Sequence, residues 1–181
     1  MKVQTTSLQG VLVLEPKVFT DARGLFFESF NAKAFRQATG AEVDFVQDNQ
    51  SRSVRNVMRG IHYQVVRPQG KLVRVASGRI FDVAVDLRRS STTFSRWVGV
   101  ELSADNGRQL WIPAGFGHAF LALSDSADVL YKTTEYWYGE YDRSVLWSDP
   151  ALAIRWPLDG TPTVSEKDAC APLLAQAQLF D

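Results

Sequence analysis

The sequence predicts an all-β protein, a jelly-roll β-sandwich or barrel with a few short helices. Apolar residues alternate with a period of two over much of the chain, and turn-forming clusters separate these runs at short intervals. Helical periodicity, in contrast, is scarce. Many short strands with few helices are typical of antiparallel sandwiches and barrels, and a length of 181 residues suits a jelly roll.

The one clear helical pattern covers residues 31–39. Asn31 is a favourable N-cap residue, and Gly40 is suited to end a helix because it adopts a left-handed backbone without strain. Apolar residues recur on one side of this stretch, at Ala32, Ala34, Phe35 and Ala38. We therefore expect a helix of about two turns.

Strand patterns follow. Residues 58–64 read as a strand, and residues 71–76 and 79–87 flank a Ser77-Gly78 turn, which indicates a hairpin. Within 79–87, one face carries Phe81, Val83, Val85 and Leu87, and the other carries Asp82, Ala84 and Asp86. Further strands are predicted at 97–102, 109–112, 118–123 and 129–137. The whole chain, 1–181, is expected to form one domain, with residues 157–181 as a C-terminal tail packed on it.

Composition excludes several classes of protein. Twenty Lys and Arg balance twenty Asp and Glu, so no long-range positive field favours nucleic acid. Cys170 is the only cysteine, which rules out an internal disulfide and a thiolate metal site and fits a reducing compartment. No apolar run approaches the ~18 residues of a membrane span, and the N-terminus lacks a signal-peptide core. We expect a soluble cytoplasmic protein that binds neither membrane nor nucleic acid.

The chain has only two histidines, and both lie in unusual settings. His62 follows a polar, arginine-bearing loop, and His118 follows a turn built from Pro113, Gly115 and Gly117. A single histidine in a strand is more often structural than functional. As a pair, the two histidines suggest the hypothesis of a shared pocket.

The spacing of Gly107, the run 113–115 and His118 resembles the second motif of the cupins, a jelly-roll family that includes metal-binding members. Their first motif would supply two more histidines and a glutamate, which complete an octahedral metal site. Here the equivalent run is His62-Tyr63-Gln64, with no matching glutamate. The resemblance therefore implies the cupin-type fold, whereas the number of ligands argues against a metal.

Seven segments in order resemble the dTDP-4-dehydrorhamnose 3,5-epimerase family. They are residues 21–28, 45–49, 59–64, 69–74, 81–88, 131–134 and 165–168. The resemblance implies a metal-free and cofactor-independent isomerase of cupin type, active as a homodimer. Such an enzyme inverts C3 and C5 of dTDP-4-dehydro-6-deoxy-D-glucose to give dTDP-4-dehydro-L-rhamnose, a step of dTDP-L-rhamnose biosynthesis.

The chemistry of this epimerisation explains the residue types. A 4-keto group acidifies the hydrogens at C3 and C5, so the reaction needs a base, an acid and a group that stabilises the enolate. His62 is the natural base, since free imidazole has a pKa of ~6.5. The resemblance implies that Asp168 orients His62, that Tyr131 donates the proton and that Lys71 stabilises the enolate, with His118 close by. Without the family, Asp168 reads as part of a helix cap, Tyr131 as a core residue and Lys71 as a solvated strand end.

The resemblance also implies a set of substrate-binding residues. Arg23 and Arg59 match positions that bind substrate, and guanidinium groups suit phosphate oxygens. Trp137 takes the place of the aromatic residue that stacks on thymine, where relatives also carry tyrosine. Further contacts are implied for Glu28, Gln47, Asp48, Asn49, His118, Asp142 and Lys167. Asp142 stands where glutamate is common in the family, and it is one methylene shorter.

Two alternative functions stay open. A relative that inverts only C3 or only C5 would keep the same base and acid. A non-catalytic jelly roll that binds a nucleotide sugar would bind the same ligand without exchanging its hydrogens for solvent deuterium.

Overall fold

A computed structural model describes all residues, Met1–Asp181, and contains thirteen strands and two short helices. The all-β prediction is confirmed. The strands are β1 (Lys2–Thr5), β2 (Leu12–Glu15), β3 (Phe19–Asp21), β4 (Gly24–Phe26), β5 (Gln47–Val54), β6 (Met58–Gln64), β7 (Lys71–Ser77), β8 (Arg79–Asp86), β9 (Trp97–Ser103), β10 (Gln109–Ile112), β11 (Phe116–Ala122), β12 (Ser126–Thr133) and β13 (Asp142–Ser144). The helices are α1 (Ala32–Thr39) and α2 (Glu166–Ala169). Neither helix has the length and apolar character that crossing a membrane requires.

Two antiparallel sheets form the sandwich. The six-stranded sheet has the order β1-β2-β10-β7-β12-β5, and the five-stranded sheet has the order β13-β6-β11-β8-β9. The strands β3 and β4 form a separate two-stranded ribbon. Apolar residues of both sheets fill the space between them, among them Val73 and Ile112 from one sheet and Ile80 and Phe120 from the other. This arrangement is a cupin-like β-sandwich.

The strand β8 is buried on both faces. Ile80 and Ala84 pack in the core between the sheets, whereas Val83 and Val85 belong to a second core on the opposite face. That second core is covered by residues from the C-terminal part of the chain, including Leu174. The larger apolar face of β8 is therefore turned away from the centre of the sandwich, and Asp82 lies on the inner face.

The predicted hairpin between β7 and β8 is wrong. β7 pairs with β10 and β12 in one sheet, and β8 pairs with β9 and β11 in the other. The connection through Gly78 crosses between the sheets, with a φ of 73° at Gly78. A Cβ on Gly78 would lie only 2.0 Å from the Ser126 carbonyl oxygen, so no other residue fits there. Alternation shows which residues share a face, but it does not identify the neighbouring strand.

The predicted helix is confirmed. The Asn31 side chain accepts a hydrogen bond from the Ala34 N–H at 3.0 Å, and Gly40 ends the helix in a left-handed conformation. Phe35 is the buried residue of α1 and packs edge-on against Trp111 at 5.1 Å between ring centroids. This small core lies on the face of the six-stranded sheet that carries Leu14 and Leu72.

Candidate active site

A cavity of about 420 Å³ opens between the two sheets. It is lined by Gln47, Asn49, His62, Tyr63, Gln69, Lys71, Tyr131, Trp137, Asp142 and Lys167. Eight of these ten residues are ones that the sequence analysis named; Tyr63 and Gln69 are the additions. A larger hollow of about 560 Å³ lies beside it and shares only Asn49 and Tyr131 with it. The smaller cavity is the candidate site because the titratable groups converge there.

His62 and Asp168 form a hydrogen-bonded pair at one wall. Asp168 Oδ1 lies 2.6 Å from His62 Nε2, and Asp168 Oδ2 accepts a hydrogen bond from the Gly60 N–H at 3.3 Å. Asp168 is only 2% exposed. Burial raises the pKa of this carboxyl, but its hydrogen bond with His62, the charge of His62 and further hydrogen bonds outweigh burial and hold that pKa below its usual value. The carboxylate is therefore ionised and fixes the orientation of the ring.

The short helix α2 carries Asp168 to His62. Ser165 caps this helix, with its Oγ accepting a hydrogen bond from the Asp168 N–H at 3.1 Å. Both interpretations of the segment are thus compatible: the backbone of Asp168 takes part in the cap, and its carboxylate bonds to His62. Because Nε2 of His62 is bonded to a carboxylate, it carries the proton, and Nδ1 is the ring nitrogen left free to accept another.

Lys71 is buried at the first position of β7, with 7% exposure, which rules out a solvated strand end. Its Nζ donates a long hydrogen bond of 3.5 Å to the His62 carbonyl oxygen and lies 6.0 Å from the centre of the Tyr131 ring. Burial lowers the pKa of Lys71 to about 8, with Asp142 and Asp82 raising it and Lys167 lowering it. The ammonium is poorly solvated and is available to an anionic group in the cavity.

Tyr131 projects into the cavity from β12, in the opposite sheet from His62. Burial raises the pKa of its hydroxyl, with Arg59 lowering it and Asp142 raising it, so the phenol stays protonated near neutral pH. The Tyr131 and His118 rings lie 6.2 Å apart.

Trp137 reaches the same cavity from a loop that follows β12. A continuous strand over 129–137 is expected from the sequence, but β12 ends at Thr133. The Trp137 N–H instead donates to Gln47 Oε1 at 3.0 Å, which positions the ring at the rim. The ring is 60% exposed and offers a flat apolar surface there.

A second histidine–carboxylate pair lies deeper in the sandwich. His118 and His62 are register partners on β11 and β6, and His118 Nε2 lies 2.7 Å from Asp82 Oδ1. Asp82 is not among the site residues that the sequence predicts. The sequence feature that distinguishes Asp82 is its place on the less apolar face of β8. This feature points to a buried carboxylate only because the other face of β8 is buried as well.

The other predicted binding residues differ in position. Asp142 and Lys167 line the cavity and form an ion pair at 2.5 Å. Arg23, Glu28, Asp48, Arg59 and His118 do not line it, and Asp48 lines the larger neighbouring hollow instead. Arg23 pairs with Asp21, Glu28 accepts from Asn31, Asp48 pairs with Lys132, and Arg59 donates to Ser53.

The donor set does not suit the metal of the metal-binding cupins. No group of three or more His, Cys, Asp or Glu side chains is arranged to hold a metal ion. The two imidazoles each have Nε2 bonded to a carboxylate. A transition-metal centre needs further ligands with free donor atoms, which these residues do not supply.

A family model described as dTDP-4-dehydrorhamnose 3,5-epimerase matches residues 5–176. A dTDP-4-dehydrorhamnose 3,5-epimerase of Pseudomonas aeruginosa is 54% identical over 180 residues, covering 99% of both chains. The dTDP-6-deoxy-D-glucose-3,5-epimerase of Legionella pneumophila, solved with dTDP-4-keto-L-rhamnose, has a TM-score of 0.95 and 49% identity and covers 97% of this chain and 93% of its own. A 3'-monoepimerase of Streptomyces bikiniensis, solved with dTDP-quinovose, has a TM-score of 0.89 and 38% identity, with 94% and 86% coverage. By identity, by coverage and by fold, this chain belongs to the dTDP-4-dehydrorhamnose 3,5-epimerase family, whose members are isomerases.

Proposed function

We propose that this protein converts dTDP-4-dehydro-6-deoxy-D-glucose to dTDP-4-dehydro-L-rhamnose by inverting C3 and C5. One observation carries the proposal. The His62–Asp168 pair lies in one sheet wall, Tyr131 projects from the other, and Lys71 lies close to both. A sugar ring between the walls would have a base on one face and an acid on the other.

His62 acts as the base in this proposal. Its free Nδ1 takes the proton from the carbon next to the 4-keto group, and Asp168 stabilises the imidazolium that results. Because the carboxylate is buried and ionised, it supports the positive charge without taking the proton itself. The same base serves both carbons if the ring turns between the two steps.

The enolate forms beside Lys71, and Tyr131 returns a proton to the opposite face. An ammonium in a poorly solvated site stabilises the enolate oxygen more strongly than the same group would in water. Burial keeps the Tyr131 hydroxyl protonated, so that it is ready to donate. No cofactor is needed, since every step is a proton transfer.

The nucleotide half of the substrate would lie toward the rim. Trp137 offers the stacking surface for thymine, with Gln47 and Asn49 beside it in the cavity lining. Asp142, Lys167 and His118 are proposed as further contacts. We also propose that Arg23, Glu28, Asp48 and Arg59 contact the substrate, although these side chains, like that of His118, lie outside the cavity lining in the single chain.

Homodimerisation is a further part of the proposal. The ribbon β3–β4 leaves Phe19, Leu25 and Phe26 exposed, an apolar surface that a second copy of the chain would cover. Light scattering of the purified protein tests this, with a single-chain mass as the contradicting result. We assign the protein to the cytoplasm, because activated sugar nucleotides are intracellular, and we expect neither a nucleic-acid partner nor membrane association.

The decisive experiment follows solvent exchange. The protein is incubated in deuterium oxide with dTDP-4-dehydro-6-deoxy-D-glucose, and C3 and C5 are followed by NMR, with His62→Ala in parallel. Deuterium at both carbons in the wild type and at neither in His62→Ala is the expected result. Label at one carbon only would indicate a mono-epimerase, the activity named for the Streptomyces bikiniensis relative. Binding of dTDP without any exchange would indicate a non-catalytic binding protein.

A further inference from the structure

The pair formed by His118 and Asp82 is almost completely buried, and one of its oxygens has no hydrogen bond. Asp82 is fully buried and His118 nearly so. Asp82 Oδ1 bonds to His118 Nε2, whereas Asp82 Oδ2 has no hydrogen-bond partner. A buried carboxylate oxygen without a hydrogen bond is costly, and a nearby positive charge offsets this cost.

Lys71 brings a positive charge toward this pair. Its Nζ lies 3.5 Å from the carbonyl oxygen of His62, the register partner of His118, and 6.0 Å from the centre of the Tyr131 ring, which lies 6.2 Å from the His118 ring. The titratable groups that the neighbouring elements bring toward Lys71 are His62 on β6, Asp82 on β8, His118 on β11, Tyr131 on β12, Asp142 on β13 and Lys167 on α2. Asp142 is already bonded to Lys167. Among these groups, Asp82 is the carboxylate that has no cationic lysine or arginine bonded to it.

We propose that Asp82 is a positioning residue of the active site, which holds the His118 ring through Oδ1 and acts as the internal counter-ion of Lys71. This role rests on the proposed function, because it concerns the group that would stabilise the enolate. Asp82 itself does not touch the reacting atoms. Asp82 acts by orienting the His118 ring and by stabilising the charge of Lys71.

The electrostatics of Lys71 agree with this role. Burial lowers its pKa to about 8, and the Asp82 carboxylate is one of two groups that oppose this effect. Without that charge, Lys71 would lose its proton at a lower pH. The substitution Asp82→Asn tests the charge alone, because the amide oxygen still accepts a hydrogen bond from the His118 Nε2–H.

The experiment measures kcat and KM of wild type and Asp82→Asn from about pH 6 to about pH 10, with dTDP binding measured in parallel. We expect the alkaline decline of kcat to begin at lower pH in Asp82→Asn, with kcat at pH 8 reduced about tenfold or more and the dTDP affinity within about threefold of wild type. An unchanged pH profile overturns the proposal.

Asp86→Asn is the matched control. Asp86 is also a fully buried aspartate of β8, but both of its carboxylate oxygens are hydrogen-bonded, to Arg88, Ser91 and Thr93. We expect Asp86→Asn to lower the melting temperature and to leave the pH profile unmoved. If Asp86→Asn shifts the pH profile of kcat as Asp82→Asn does, then removal of any buried charge on β8 has this effect, and the proposal fails.

Two further measurements test the role of Asp82 even if the proposed epimerase activity is absent or the Asp82→Asn variant does not fold. NMR of ¹⁵N-labelled lysine follows the titration of Lys71 without turnover, so the counter-ion role is decided even if the wild type shows no exchange at C3 or C5. A lower Lys71 pKa in Asp82→Asn supports the role, and an equal one overturns it. If Asp82→Asn does not fold, the double variant Lys71→Met/Asp82→Asn should fold, since it leaves no unpaired charge; a double variant that also fails to fold overturns the proposal.

Discussion

Lys71 shows how burial changes the chemistry of a single residue. In solution a lysine of pKa 10.5 keeps its proton throughout the neutral range, whereas burial brings the pKa of Lys71 to about 8. The ammonium is therefore less stable here than in water and gains more from a developing negative charge. An active-site cation of this kind loses its function at a moderately alkaline pH.

The pH dependence of Lys71 gives the first prediction. Because its folded pKa lies below its unfolded one, the unfolded chain binds more protons between about pH 8 and 10.5, so the free energy of unfolding rises with pH in that window. The kcat falls over the same range as the ammonium is lost. Relative to Lys71→Met, the wild type should gain about 3 kcal/mol between about pH 7 and pH 11. Chemical denaturation at each pH measures this, and a constant difference between the two proteins would refute the assignment.

The hydrogen bond between Asp168 and His62 gives the second prediction. Asp168→Asn keeps the size of the side chain but removes the charge that supports the imidazolium, so kcat should fall by at least about 100-fold with dTDP binding retained. Steady-state kinetics and calorimetry measure the two effects. Glu166→Gln, an exposed acidic residue of the same helix, is the control and should leave kcat unchanged. Equal kcat values for Asp168→Asn and wild type would remove Asp168 from the mechanism.

At the scale of the element, α2 links helix capping to catalysis. This helix has only four residues, and the Ser165 side chain provides its N-cap. Ser165→Ala should cost about 1 kcal/mol of stability and also lower kcat, since the cap fixes the backbone of Asp168. Thermal unfolding and kcat are measured together. The control is Asn31→Ala, which removes the equivalent cap of α1 and should lower stability without lowering kcat at saturating substrate; its hydrogen bond to Glu28, a proposed substrate contact, bears on KM. A Ser165→Ala protein of normal kcat would show that the position of Asp168 does not depend on the cap.

The elements also show what can be predicted from sequence. Local signals succeed where local chemistry decides: Asn31 and Gly40 mark the two ends of α1. The pairing of β7 and β8 could not be deduced, because partners are chosen by long-range packing and alternation only marks faces. The edge strand β5 has no recognisable strand pattern, because it carries few apolar residues and alternation is therefore absent.

Some residues of the candidate site can be predicted from the sequence and others cannot. His62, Lys71 and Tyr131 followed from motif resemblance combined with the chemistry of epimerisation, and the structure brings them together in one cavity. Asp82 could not be recognised, because a strand pattern does not show which face looks inward. The apolar face of β8 suggests that Asp82 points to solvent, and only the second core beneath the C-terminal residues reverses this conclusion.

At the scale of the whole molecule, the two apolar cores have different roles. The core between the sheets packs against Tyr131 of the cavity, and the second core attaches the C-terminal residues to the outer face of the five-stranded sheet. Covering that outer face allows β6, β8 and β11 to be buried on both sides. Their inner faces can then carry His62, Asp82 and His118 while the strands remain firmly held by apolar contacts on the outside.

This division predicts that stability and activity can be separated. Leu174 is buried in the second core, so Leu174→Ala should lower the free energy of unfolding by about 2 to 5 kcal/mol through the lost contacts and the cavity left behind. The melting temperature should fall by roughly 5 to 15 °C, as measured by calorimetry. Well below that temperature, kcat should stay within about twofold of wild type, because Leu174 does not line the cavity. Tyr63, which lines the cavity and belongs to the second core, is still held by the Gln178 carbonyl oxygen and by the Phe180 ring. The neighbouring Leu173 is exposed, and Leu173→Ala should change neither property. If Leu174→Ala lowers kcat without lowering the melting temperature, the C-terminal residues shape the cavity directly and the two cores are not independent.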